Sequence, residues 1–178
     1  MSDIFLHIYT YLTADLALVG TQASPPAGPY SGLLSGGLWR RPLKRASDPT
    51  APTPPAGATP AAFGGAGPEA GRMRYAAVML DQGERTHGQD EWIPTAMTQE
   101  FTINFYAPAH DAGKKAILDA ENMVYDLLYN YRFQTDNGPF ARVFYLNRVG
   151  IIDSEEFLGC VTDYCRYAVV YRKREAKE

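Results

Sequence analysis

From Ile93 to Phe105 the sequence alternates, and from Asp111 a helical repeat takes over. Ile93, Met97, Phe101, Ile103 and Phe105 share one phase; Thr98, Glu100, Thr102 and Asn104 share the other. A period of two predicts a strand with one face on a core, here over Trp92–Tyr106. Ala107-Pro108 ends it, because proline has no amide hydrogen for the ladder and holds its predecessor extended. Asp111 is placed to cap a helix through its carboxylate. Ile117, Ala120, Val124, Leu127, Leu128 and Tyr131 then recur every three or four residues, predicting a helix over 111–131 with one apolar stripe. Asn137-Gly138-Pro139 supplies turn chemistry after it. Such a helix needs a sheet to lie on.

The flanking sequence supplies one. Arg74–Leu80 reads as a short strand, Asp81–Glu91 as a polar, turn-rich connection, and Ala141–Ile152 as a β-branched and aromatic strand. Asp153-Ser154-Glu155-Glu156 reads as an acidic turn. In Val161–Tyr171 the residues Val161, Cys165, Tyr167, Val169 and Tyr171 share a face. At the start of the chain, Phe5, Ile8, Leu12, Leu16 and Val19 predict an amphipathic helix over Ser2–Val19, capped by Ser2 and stopped by Gly20. Two hairpins around one helix predict an α+β fold, an antiparallel four-stranded sheet with helices packed on it. The charged tail from Arg172 is expected to fray.

Residues 21–72 differ in character. Ten prolines stand there among Ala, Gly, Ser and Thr, a composition that buries too little apolar surface to offset its ordering entropy. The expectation is one domain over 1–178, with 21–72 an extended arm between the first helix and the sheet. One island, Leu38–Arg45, breaks the pattern: Trp39 and Leu43 need a surface to dock on, and Arg40, Arg41, Lys44 and Arg45 gather charge. With Arg72 the segment has five basic residues against two acidic ones (Asp48, Glu69), a net of +3, so the rest of the chain carries −6 of the total −3. These six island residues are candidate contacts to a neighbouring subunit or partner. Contact with a nucleic-acid backbone and simple solubility remain alternatives.

No chemistry is expected. Asp81, Glu84, His87, Asp90 and Glu91 could suggest a metal site, but they fall in a glycine-containing connection without a second histidine. Helix capping accounts for Asp111 beside His110, and His7 and Asp15 read as partly exposed helix residues. Gly64-Gly65-Ala66-Gly67 has no strand before it or helix after it, so it is not a phosphate loop. The chain is read as having no catalytic residues, no metal and no cofactor. Cys160 and Cys165 fall on opposite faces of a strand, which predicts free thiols and a reducing compartment. No run approaches the roughly 20 apolar residues of a membrane helix, and no signal segment opens the chain. A cytosolic protein is expected, or one assembled there. The 12 tyrosines fit an interface or an aromatic sheet equally.

The order of these elements resembles a known family. Ile8-Tyr9-Thr10-Tyr11-Leu12-Thr13-Ala14-Asp15-Leu16 opens the chain; Gln99–Ala107, the helix Ala116–Leu128 and Tyr167–Tyr171 follow. Over residues 1–20 and 73–175 this is similar to the tail terminator and tail-completion (neck) proteins of long-tailed bacteriophages, with the 21–72 arm as a departure. The resemblance implies a virion structural protein of the neck or tail, assembled in the host bacterial cytoplasm. It implies a ring, typically of six copies, that ends the tail tube and meets the head connector or stopper protein. DNA would pass through its lumen without sequence-specific binding. A head–tail adaptor, stopper or tube subunit would suit the same pattern, and an unrecognised small soluble enzyme is the distant alternative. In a ring, Asp153, Glu155 and Glu156 are candidates to line the lumen; a solvated outer turn is the alternative.

Overall fold

The computed structural model describes residues 4–23, 29–40, 74–87, 96–134, 140–155, 157 and 159–172, and side chains for all of these except 84–87 and 172. Its elements are α1 (Ile4–Thr13), β1 (Gly37–Trp39), β2 (Ala76–His87), β3 (Ala96–Pro108), α2 (Asp111–Leu128), β4 (Arg132–Gln134), β5 (Phe140–Arg148), β6 (Ile152–Asp153) and β7 (Cys160–Arg172).

The alternating stretch forms β3, which pairs with β7 along its whole length. Ala96 lies opposite Arg172 and Pro108 opposite Cys160, with no register shift between. Phe101, Ile103 and Phe105 share a buried face with Cys165, Tyr167 and Val169. Phe101 sits opposite Tyr167, and their rings stack with centroids 5.4 Å apart. A slip of one residue would turn every one of these side chains to the other face, so the apolar pattern itself holds the register.

The fold differs from the α+β domain with a four-stranded antiparallel sheet that was expected. The described residues are mostly β, with two helices on a mixed, seven-stranded sheet in the order β1-β2-β3-β7-β5-β4, with β6 also on β7. The four long strands, β2, β3, β7 and β5, pair antiparallel; the additions come from segments too short to show a period. β1 lies inside the stretch read as an arm and runs parallel to β2. Leu38 within it and Leu34 just before it are core residues. A side-chain carbon at Gly36 would meet the Ala76 Cβ at 2.9 Å, so glycine is what lets this segment approach β2. β2 itself runs on to His87 through residues read as a connection. Its backbone continues to pair with β3 after a bulge between Asp81 and Gly83, where Gly83 takes φ +92°. Backbone pairing does not require apolar side chains, which is why composition misreported this half of the hairpin. Of the residues considered for a metal site, Asp81, Glu84 and His87 are on β2; Asp90 and Glu91 lie outside the described residues, as does Ile93.

The helices also shift at their ends. α1 stops at Thr13, because the Asp15 carboxylate accepts the amides of Ala17 (3.0 Å) and Leu18 (2.8 Å) and starts a separate turn. Leu18 is consequently buried, while Leu16, expected in the stripe, is 73% exposed. α2 begins at Asp111, but the capping residue is His110, whose Nδ1 accepts the Gly113 amide at 3.0 Å. Asp111 occupies the first turn, where its charge faces the positive end of the helix. The helix ends at Leu128, three residues early, and Asn130 then adopts the left-handed region at φ 56°.

Both helices pack on one face. Phe5, Ile8 and Leu12 of α1 and Ile117, Ala120, Val124 and Leu128 of α2 join the β3–β7 face in one cluster. Aromatic contacts tie the layers: Phe5 meets Phe101 edge-on, Tyr11 stacks on Tyr131, and His7 stacks on Phe133. On the other face Ala76, Val78, Tyr106, Phe157 and Cys160 form a smaller cluster. The two thiols, both free, are thus divided between the faces.

Val124 is 1% exposed at the centre of the α2 stripe. Val124→Asp would bury an unpaired charge and is expected to cost roughly 3–5 kcal/mol. Leu16→Asp, on the exposed turn, should change stability by no more than about 0.5 kcal/mol. Chemical denaturation of both variants checks the contrast; a Val124→Asp protein as stable as the parent would mean this stripe faces water.

Candidate functional site

Trp39 and Arg40, two of the six candidate contact residues, meet surfaces of their own chain. The Trp39 indole Nε1 donates to the Gly36 carbonyl at 2.7 Å, and its ring lies edge-on to Tyr30 and packs against the cluster around Val78. The Arg40 guanidinium stands 5.1 Å over the ring of Tyr9 on α1. Tyr9 in turn donates its hydroxyl to the Leu38 carbonyl at 2.9 Å, so α1 and β1 are bound to each other. Arg41, Leu43, Lys44 and Arg45 lie outside the described residues.

The acidic turn stands at one end of the sheet. Asp153 is on β6 opposite Val161 and is exposed, as is Glu155; Glu156 lies outside the described residues. The Ser154 amide donates to the Cys160 carbonyl at 2.9 Å, and the Phe157 amide donates to Ser154 Oγ at 3.2 Å. Phe157 plugs into the second face edge-on to Tyr106. The turn is therefore held, with its two described acids presented to solvent.

A third group, missed in the sequence, lies under the main cluster's edge. Asp163 of β7 is completely buried between Val161 and Cys165 on the helix-covered face. Its Oδ2 accepts from Arg148 Nε (2.8 Å) and Nη2 (2.7 Å), and its Oδ1 accepts the amides of Gly150 (2.9 Å) and Tyr164 (2.7 Å). Glu121 of α2 comes within 3.2 Å of the same guanidinium and is also buried. One cation thus faces two carboxylates. Burial, then the hydrogen bond and charge of Asp163, push Glu121 up to about 8 against the opposing pull of Arg148. The proton it retains removes the excess negative charge. Burial, followed by the charges of Glu121 and Asp163, pushes the Cys165 thiol up to about 12, so it is no nucleophile.

This group is suited to holding structure. It joins α2, β5 and β7, and it fixes where the sheet border breaks: Gly150, at φ +102° between β5 and β6, is held by the carboxylate of Asp163. The available signal was phase. Asp163 falls on the same parity as Val161, Cys165 and Tyr167, so an acid was due on the apolar face and required a partner. Among the described residues, no set of three His, Cys, Asp or Glu side chains could hold a metal ion, and no helix is long and apolar enough to cross a membrane.

The whole fold is similar to that of a chain in the virion of a native gene transfer agent particle. The TM-score is 0.53 at 14% identity, covering 96% of this chain and 95% of that one. No protein-family model matches the sequence, and no curated protein matches it. At this identity the likeness is one of fold.

The proton on Glu121 makes stability depend on pH. The side chain ionises near 4.5 when unfolded but only near 8 when folded, so between these values the native state holds the additional proton. Stability should therefore fall as pH rises through that window, by up to about 1.4 kcal/mol per unit, and level off above it. Glu121→Gln should remove this slope. Urea denaturation of both proteins at a series of pH values measures it; identical slopes would mean that Glu121 is ionised in the folded chain.

Proposed function

We propose that this protein is a structural component of a phage-like virion, and that within it the chain forms the ring that terminates the tail tube. One observation carries the reading: the fold likeness to a chain of a virion particle spans nearly the full length of both chains. A likeness confined to one hairpin and helix would be shared by many unrelated domains; one that covers 96% of this chain and 95% of the other follows a whole architecture. The order of elements that resembles tail terminators points to the same role, and the work is done by assembly rather than catalysis.

In this role identical copies contact one another head to tail, and the rotation closes the ring. One face of the ring meets the tube protein and the other meets the head connector or stopper, while DNA passes through the middle. The acidic turn suits a passage that must not retain DNA, since phosphate attraction scales with the Lys and Arg facing it. Within a Debye length of about 8 Å, Asp153, Glu155 and Glu156 would repel the backbone.

Negative-stain microscopy of the purified full chain, with light scattering for mass, tests the ring. Closed rings of uniform size are expected; a monomer at high concentration would sink the reading, and long open tubes would make the chain a tube subunit. Changing Asp153, Glu155 and Glu156 together to Lys should leave the ring intact and give it salt-sensitive retention of DNA. Rings of this variant with no added affinity at low salt would place the turn on the outside.

A further inference from the structure

The sheet has two borders, and the one made by β5 and β6 presents a run of exposed apolar side chains beside the exposed Asn147, Arg148 and Asp153. β4 covers β5 only from Phe140 to Arg142, and the Val143 amide donates to the Tyr131 carbonyl. Past that point no described residue pairs with the outer side of β5. Tyr145, Leu146, Val149 and Ile152 stand exposed there, Val149 by 58%. Tyr125 and Tyr129 from the end of α2 extend the surface on the helix side, with Tyr125 edge-on to Tyr145 at 5.3 Å and 5.4 Å from Tyr129. Phe140 and Phe144 carry it round to the other face.

Three features make this a docking surface. Its extent comes first. Taking about 150–250 Å² for each aromatic side chain, the exposed fractions amount to roughly 700 Å², above the few hundred usual for a monomer's largest patch and close to one side of a standard interface. The second is rigidity: Tyr145 rests edge-on against the buried Tyr167, and Leu146 is pushed outward by a one-residue shift of register between Tyr145 and Asn147. Aromatic groups already held in place lose little freedom on binding. The third is a sparse charge guard. Free strand edges are ordinarily protected by charge, yet from Phe144 to Ile152 the one charged residue is Arg148, 36% exposed, whose guanidinium is already paired with Asp163.

The other border identifies the occupant. Beyond Val78 the outer side of β2 has no partner strand among the described residues. Because β2, β3, β7 and β5 alternate in direction, β5 of one copy set beside β2 of another runs antiparallel to it, like every long pair within the chain. We infer that the β5–β6 border, with Tyr125 and Tyr129, is where a second copy of this chain docks. The inference rests on the ring reading and names the surface that carries the subunit contact.

The test compares the full-length parent with Leu146→Lys/Val149→Lys by light scattering at one concentration, and melting temperature controls for folding. The parent should be assembled and the double variant monomeric, with melting points within about 2 °C. Leu16→Lys, on the exposed turn after α1, should assemble like the parent. Should the double variant melt early, Tyr129→Lys probes the same border from the helix end and is expected to dissociate the assembly too. A folded border variant with the parent's mass overturns the inference and leaves the ring reading standing; a monomeric parent overturns both.

Discussion

The uninterrupted ladder between β3 and β7 is the constraint on which the rest of the structure depends. Both strands are 13 residues long, and they pair without a shift from end to end. Every other element is added to one of their sides or laid on their apolar face: β2 borders β3, β5 and β6 border β7, and α1 and α2 cover the row that includes Phe101, Ile103, Cys165 and Tyr167. The ladder joins positions more than fifty residues apart in the chain, so its loop entropy is recovered only when the helices close over it. That makes the fold cooperative rather than modular.

Within this frame Arg148, 36% exposed and joined to two buried carboxylates, has a specific task. Burying two carboxylates costs several kcal/mol per ion unless each finds partners. Here Asp163 takes two bonds from Arg148 and two from backbone amides, and Glu121 meets the remaining excess of charge by keeping its proton. What the arrangement secures is geometry. It fastens α2 to the border strand, sets the break at Gly150 and neutralises the charge of Arg148 at that border. An aliphatic replacement could match its stability without reproducing that break.

The proposed assembly follows from the same arrangement. A sheet whose β2 border carries the exposed Asp81 and Gln82 and whose β5–β6 border carries a run of exposed apolar side chains, with long strands alternating in direction, has different surfaces at its two sides. Such a unit is suited to contacts between unlike surfaces of identical copies, the kind that close into rings. The sheet's other main surface, by contrast, is covered by the chain's own helices.

The sequence by itself determined the elements whose evidence is local. β3, α2 and the face of β7 are written in periods of two and 3.6 that a dozen residues carry, and the opposite placement of Cys160 and Cys165 follows from parity alone. Even the burial of Asp163 was present as a phase, though not the identity of its partners. What only the tertiary structure decided is whatever depends on a neighbour distant in the chain. Three residues at Gly37–Trp39 become a strand because β2 lies alongside, polar residues after Leu80 stay in the ladder because β3 offers hydrogen bonds, and Arg148 finds its partner in Asp163, 15 residues ahead. Periodicity reports which side of an element is apolar. It carries no information about which backbone or which charge will stand opposite, since those energies arise only once the chain has brought the partners together.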